Sequence, residues 1–186
     1  NGQEHLFTIP LKGASQNKKI NQTELSDDDS WRKKLLETIQ RAYGNAPFFN
    51  DTFPVIEDIV QFPERNLARF CTKSLESIAR ICNLSCRISP TSSIYNNEAL
   101  KGRERIIDIC AREQADIYIN AAGGRDMYNA QAFSAKEISL RFVKSYFQEY
   151  RQARSPFVAG LSIIDVLMYC GAENAATMMG DYELVE

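Results

Sequence analysis

Histidine is all but missing from this chain. His5 stands alone, too few for a histidine-rich metal site or for the usual catalytic triads. Neither a Walker loop nor a dinucleotide glycine fingerprint occurs, so no cofactor is expected. Cys82 and Cys86 lie four apart near a helix end, but zinc needs two further ligands and none has the spacing; no metal is expected either. Basic residues are not in surplus. Lys and Arg number 22 against 24 Asp and Glu, a net charge of -2, which argues against a nucleic-acid partner. Aromatic and basic residues do not alternate as a single-strand binder would need. No run nears the ~18 to 20 consecutive apolar residues of a membrane span. The polar N-terminus lacks the basic, apolar, small order of a secretory signal. The five cysteines, Cys71, Cys82, Cys86, Cys110 and Cys170, are odd in number and set among apolar neighbours. Reduced thiols pack in this way, which makes a cytoplasmic location the expectation.

What is there is an ordinary globular composition, 44% apolar and 25% charged over 186 residues. That length predicts a single domain over 1–186, able to bury roughly 70% of the surface its unfolded chain exposes. Its parts read as a hairpin strand and polar loop over 1–30, a helical part over 31–84 and an alternating strand–helix part over 85–171. Asn1-Gly2 is a dipeptide of two-residue hairpin turns, and Leu6-Phe7-Thr8-Ile9 reads as the strand after it. The strand before it is missing, so a preceding segment is expected.

Asp29 or Ser30 caps a helix over 31–43, with Gly44 as its stop. A second helix over 48–61 holds Pro54 near a first turn or a kink. A third, over 64–83, places Leu67, Phe70, Leu75, Ile78 and Ile81 on its core face. Cys86-Arg87-Ile88 is a short strand candidate. A helix over 98–113 buries Leu100, Ile106, Ile107 and Cys110. Strands over 116–120 and 138–142 flank a short helix over 128–135, and a buried helix over 157–170 ends at Gly171. This order predicts an α/β (α+β) fold, helix-rich, with a small parallel or mixed sheet under covering helices.

Two loops carry candidate binding residues. In Tyr118-Ile119-Asn120-Ala121-Ala122-Gly123-Gly124-Arg125-Asp126-Met127-Tyr128 a strand end, two glycines and a helix start leave backbone N–H groups open to an anion. Arg125 adds a positive fork, and Asn120, Tyr118 and Tyr128 suit a sugar or an amide. The same residues also make a plain tight turn with Arg125 in solvent. The second loop, Ser92-Ser93-Ile94-Tyr95, offers hydroxyls past another strand end, and Lys101 or Arg103 beyond it can reach a phosphate; turn and capping serines, with a basic helix surface that has Glu104 as partner, are the simpler reading. Asp108 and Asp165 each follow apolar runs and are either buried with partners or turned outward. Asp108 or Asp116 is the candidate proton acceptor.

Assembled, these segments resemble the WbqC-like family of bacterial proteins. The likeness is carried by Ala42-Tyr43 with Ala46-Pro47-Phe48-Phe49, by Ser92-Ser93, and by Leu100-Lys101-Gly102-Arg103-Glu104-Arg105-Ile106-Ile107-Asp108-Ile109-Cys110. Asp116-Ile117-Tyr118-Ile119-Asn120 with Gly123-Gly124 and Tyr128 adds to it, as does Leu161-Ser162-Ile163-Ile164-Asp165-Val166-Leu167-Met168. It runs from about residue 5 to 171, and the family's usual N-terminal segment, rich in Gln-Pro, aromatic residues and Trp, is missing. The resemblance implies a place in the assembly of O-antigen and other surface glycans.

The expected function is therefore an enzyme acting on a nucleotide-linked sugar or other anionic small molecule, with acyl or aminoacyl transfer from an acyl donor to an amino group. In that scheme Gly123, Gly124 and Arg125 hold a phosphate or oxyanion, Asn120 and Tyr118 orient the sugar, and Ser92 and Ser93 face them. The alternative is a non-catalytic binding or scaffold protein of the same pathway, which would expose an apolar patch around Phe48, Phe49 and Phe53.

Overall fold

The computed structural model describes residues 4–154 and 156–186. The chain forms two compact units, one of residues up to Pro90 together with Phe147–Met179, the other of Thr91–Tyr146 with Gly180–Glu186. The Asn1-Gly2 turn lies outside the described residues.

The first unit is helical. Helices α1 (Ser30–Tyr43), α2 (Phe49–Gln61) and α3 (Leu67–Ile81) follow a two-residue antiparallel pair, β1 (Leu11–Lys12) and β2 (Glu24–Leu25). The expected strand over 6–9 is not formed; the pairing sits further on, where Leu11 opposes a fully buried Leu25. The core gathers Leu25, Trp31, Leu36, Ile39, Ile56, Ile59, Val60, Phe70 and Met168. Arg32 shares this apolar face because its guanidinium lies over the Trp31 ring, 4.6 Å from its centre, while donating to the carbonyls of Val60 and Glu64 and pairing with Asp29. Each of the three nitrogens of this buried cation thus has an acceptor.

On α3 the buried positions are Phe70 and Ser77 rather than Leu75, which is 61% exposed. Seven residues return to the same helical face, whereas five rotate the side chain well off it. Asn66 caps this helix by accepting from Arg69 N–H. Phe49 and Phe53 stack with ring centres 4.8 Å apart and pack on the core, and all three phenylalanines of the expected apolar patch are half-buried.

The last helix, α6 (Ile163–Met178), starts later than its apolar run suggests, at a Ser162 cap that accepts from Ile164 N–H. Gly171, the expected end of this helix, breaks it without ending it. With φ +77 and ψ 171 it joins two helical stretches. Phe48 presses against that glycine; a Cβ there would lie 2.8 Å from the ring.

The second unit is a three-stranded mixed sheet with helical cover. Strand β3 (Ile117–Ala121) pairs in parallel with β4 (Ser139–Ser145), and β4 pairs antiparallel with β5 (Tyr182–Val185). Helix α4 (Gly102–Arg112) precedes β3, and α5 (Ala130–Ser134) lies in the β3–β4 connection. Gly102 takes φ +50, which separates α4 from the turn over 98–100 and shortens the expected helix. The Cys86–Ile88 strand does not form, while β5 lay outside the expected elements. Beneath the sheet, Phe133 is completely buried among Cys110, Ile138, Leu140 and Phe142. Among the described residues no helix is long and apolar enough to cross a membrane.

Candidate functional site

The sequence-predicted site residues all belong to the second unit, held by two sets of contacts. Ser92 and Ser93 form part of a one-turn 3-10 helix capped by Thr91. Arg105 donates to the Ser92 hydroxyl at 3.0 Å and to the Asn97 side-chain oxygen. Asn97, only 5% exposed, donates in turn to Asp108 at 2.7 Å, and Asp108 pairs with Arg112 at 2.9 Å. Arg112 also donates to the Tyr95 carbonyl. This ladder ties the serine segment along α4 and gives the Asp108 carboxylate two partners. Lys101 and Arg103 are exposed at the start of that helix.

At the other loop, Ala122–Met127 winds into a 3-10 turn. The Asn120 side chain folds over it: its oxygen accepts from Ala121 N–H at 2.7 Å, and a Cβ on buried Gly124 would meet its amide nitrogen at 2.8 Å. Gly124 is needed for that approach, while Gly123 has open space. Arg125 donates to the Glu186 main-chain oxygen and lies over Phe142. Tyr118 and Tyr128 meet through their hydroxyls at 3.4 Å and both pack against Phe133. Burial, with Tyr128 beside it, pushes the Tyr118 phenol well above its usual range. Asp116 is exposed just before β3. The five residues of that strand, at ~3.3 Å each, set it roughly 17 Å from the glycine turn. Asn120, Gly124 and Arg125 are thus gathered at one turn, Ser92 and Asp108 are joined through Asn97 and Arg105, and Asp116 stands apart from the glycines.

The ladder makes a prediction. Asp108→Ala leaves the buried Asn97 amide without its acceptor, and should destabilise the protein by about 1–3 kcal/mol. Thermal unfolding of the variant checks this.

A different site stands in the first unit. Asp165, in the first turn of α6, is 4% exposed. Its carboxylate accepts from Tyr43 Oη at 2.9 Å, from Tyr150 Oη at 2.6 Å and from Gln152 Nε2 at 3.1 Å. Gln152 is itself fixed by the Val158 main chain, donating to its carbonyl and accepting from its N–H. Burial first, and the Asp165 charge next, push the Tyr43 phenol far up; burial and the bond to Asp165 do the same for Tyr150. Both phenols therefore stay protonated and donate.

Asp165 lines a cavity of about 160 Å³ whose other walls include Tyr43, Tyr169, Phe7, His5 and Arg154. Sequence reading singled out Asp165 as an acid beside apolar residues but not its partners. Tyr43 and Asp165 are 122 positions apart, and only the fold brings them together. Their one shared signal is that both fall in segments that carry the family likeness.

Comparison with known proteins agrees with that likeness. A sequence model of the WbqC-like protein family matches residues 1–177. The chain belongs to that family. It is also 24% identical over 173 residues to a Mycobacterium tuberculosis protein named "Uncharacterized protein Rv1507c", covering 90% of this chain and 72% of that one. No solved structure matches.

Proposed function

We propose that this protein is a cytoplasmic enzyme of bacterial surface-glycan assembly that acylates or aminoacylates the amino group of a nucleotide-linked sugar. The observation that carries the reading is the Asp165 cavity. A carboxylate so buried, and held by two phenols and an amide, is oriented as a site group rather than left to the solvent. Family membership supports the pathway.

In the transfer, the amino nitrogen attacks the carbonyl carbon of an activated acyl ester. A C–N bond forms, the bond to the leaving group breaks, and that group departs with the electron pair. The proton released by nitrogen passes to the Asp165 carboxylate and from there to the leaving group. Tyr43 and Tyr150 hold the carboxylate in place.

The test is incubation of the full chain with nucleotide-linked amino sugars and acyl thioesters, read by mass spectrometry. The expected product is heavier than the sugar by one acyl group less a hydrogen, and Asp165→Asn lowers its rate by about 10²-fold or more. An unchanged sugar mass across donors and acceptors overturns the reading. In the second unit, Arg125 and Asn120 are a separate proposal, contacts for a free anionic group at the glycine turn. Their alanine variants support that role if binding of inorganic phosphate weakens at an unchanged melting temperature.

A further inference from the structure

The cavity in the first unit has an unusual charge balance. Asp165 is 4% exposed, and its three donors, Tyr43, Tyr150 and Gln152, are all neutral. Among the described residues, no cation forms an ion pair with it, although Arg154 lines the same cavity. Placement in the first turn of α6 offsets part of the charge through the helix dipole. The remainder faces a cavity whose wall includes a second acid, Glu4. A buried carboxylate normally has a positive partner, because a neutral hydrogen-bonding set compensates its lost hydration only in part.

The walls favour a cation of one kind. Tyr43 and Tyr169 meet edge to face with ring centres 5.9 Å apart, and Phe7 lies on the same cavity. Aromatic walls beside a carboxylate suit an ammonium group, which the ring faces attract as well. A metal ion would want several anionic or imidazole ligands, and no cluster of three or more such residues that could hold one occurs among the described residues. An anion would meet two carboxylates, Asp165 and Glu4, against the one guanidinium of Arg154. At about 160 Å³ the cavity falls below the roughly 300–1,000 Å³ of ordinary ligand pockets, which suits one small head group.

We infer that this cavity is a recognition site for a primary ammonium group carried on a small polar body, with the Asp165 carboxylate as its counter-ion. The inference deepens the transferase reading, on whose site it rests, by naming the charged amine as the feature selected; the bound ammonium loses one proton to solvent before the transfer, since only the neutral amine attacks. It also assigns Tyr43 and Tyr150 as positioning residues, since they hold the carboxylate and leave the ion pair to the guest.

The experiment is calorimetric titration of the full chain with glucosamine, glucose and N-acetylglucosamine, three probes of similar frame of which only the first is cationic. Glucosamine should bind saturably and at least tenfold more tightly than either neutral sugar, and Asp165→Asn should abolish that preference. Tyr169→Leu leaves the three donors of the carboxylate in place but removes one aromatic wall, and should narrow the preference, so it carries the test if Asp165→Asn does not fold; an unchanged preference there counts against the inference. Equal binding of the three sugars, no binding of glucosamine at millimolar concentration, or a preference that survives in folded Asp165→Asn overturns the inference. Ammonium preference without acyl transfer defeats the transferase reading alone. Acyl transfer without the preference defeats only the recognition site.

Discussion

Phe133→Ala is expected to lower stability by about 3–5 kcal/mol, the range for emptying a filled aromatic position. Phe133 has no exposed surface. It stacks on Tyr118 with ring centres 5.3 Å apart and meets Tyr128 edge to face at 5.9 Å, so the truncation removes transfer energy and two ring contacts together. It sits on a five-residue helix in the β3–β4 connection, a piece too short to hold itself in place by helix propensity. Thermal unfolding should register the loss. Hydrogen exchange should place it, with faster exchange in β3, α5 and β4; unaltered exchange there would show that the anchor lies elsewhere.

The second large effect belongs to Gly171. Its φ of +77 with ψ 171 lies in a region essentially confined to glycine, where a side chain costs about 1–3 kcal/mol in backbone strain alone. The added methyl of Gly171→Ala would also sit 2.8 Å from Phe48, and displacing a packed ring costs about 1–3 kcal/mol more. The sum, roughly 2–6 kcal/mol, should appear in chemical denaturation. Phe48→Leu in the same chain should recover part of the packing share but none of the strain. Full recovery would mean that the backbone tolerates alanine.

These positions differ in how legible they were. Gly171 announces itself, because a glycine after a long apolar helical run is a break signal; that the helix resumes beyond it and that Phe48 packs on it are recorded by no local pattern. The α/β class and the parallel pairing of β3 with β4 follow from strand–helix–strand order. Strand β5 is too short and too mixed to stand out, since Tyr182-Glu183-Leu184-Val185 gains its identity only from opposing β4. Leu75 misleads by its identity, because an apolar residue five positions from Phe70 lies well off the core face of α3. The site was legible by halves. Asp165 is conspicuous as an acid among apolar residues, but Tyr43 and Tyr150 look like ordinary aromatics until the chain folds. Asn120 and Gly124 were read as open to a guest, whereas the asparagine occupies the space that the missing Cβ leaves free.

The order of strands in the mixed sheet bears on how the protein is made. Strand β4 ends at Ser145 and its antiparallel neighbour β5 begins only at Tyr182, after the whole of α6 has been synthesised. A chain cut short between the end of β4 and the start of β5 therefore leaves one edge of β4 without its partner, and an unpaired strand edge is an adhesive surface. A few late residues thus matter more to this molecule than their small number suggests.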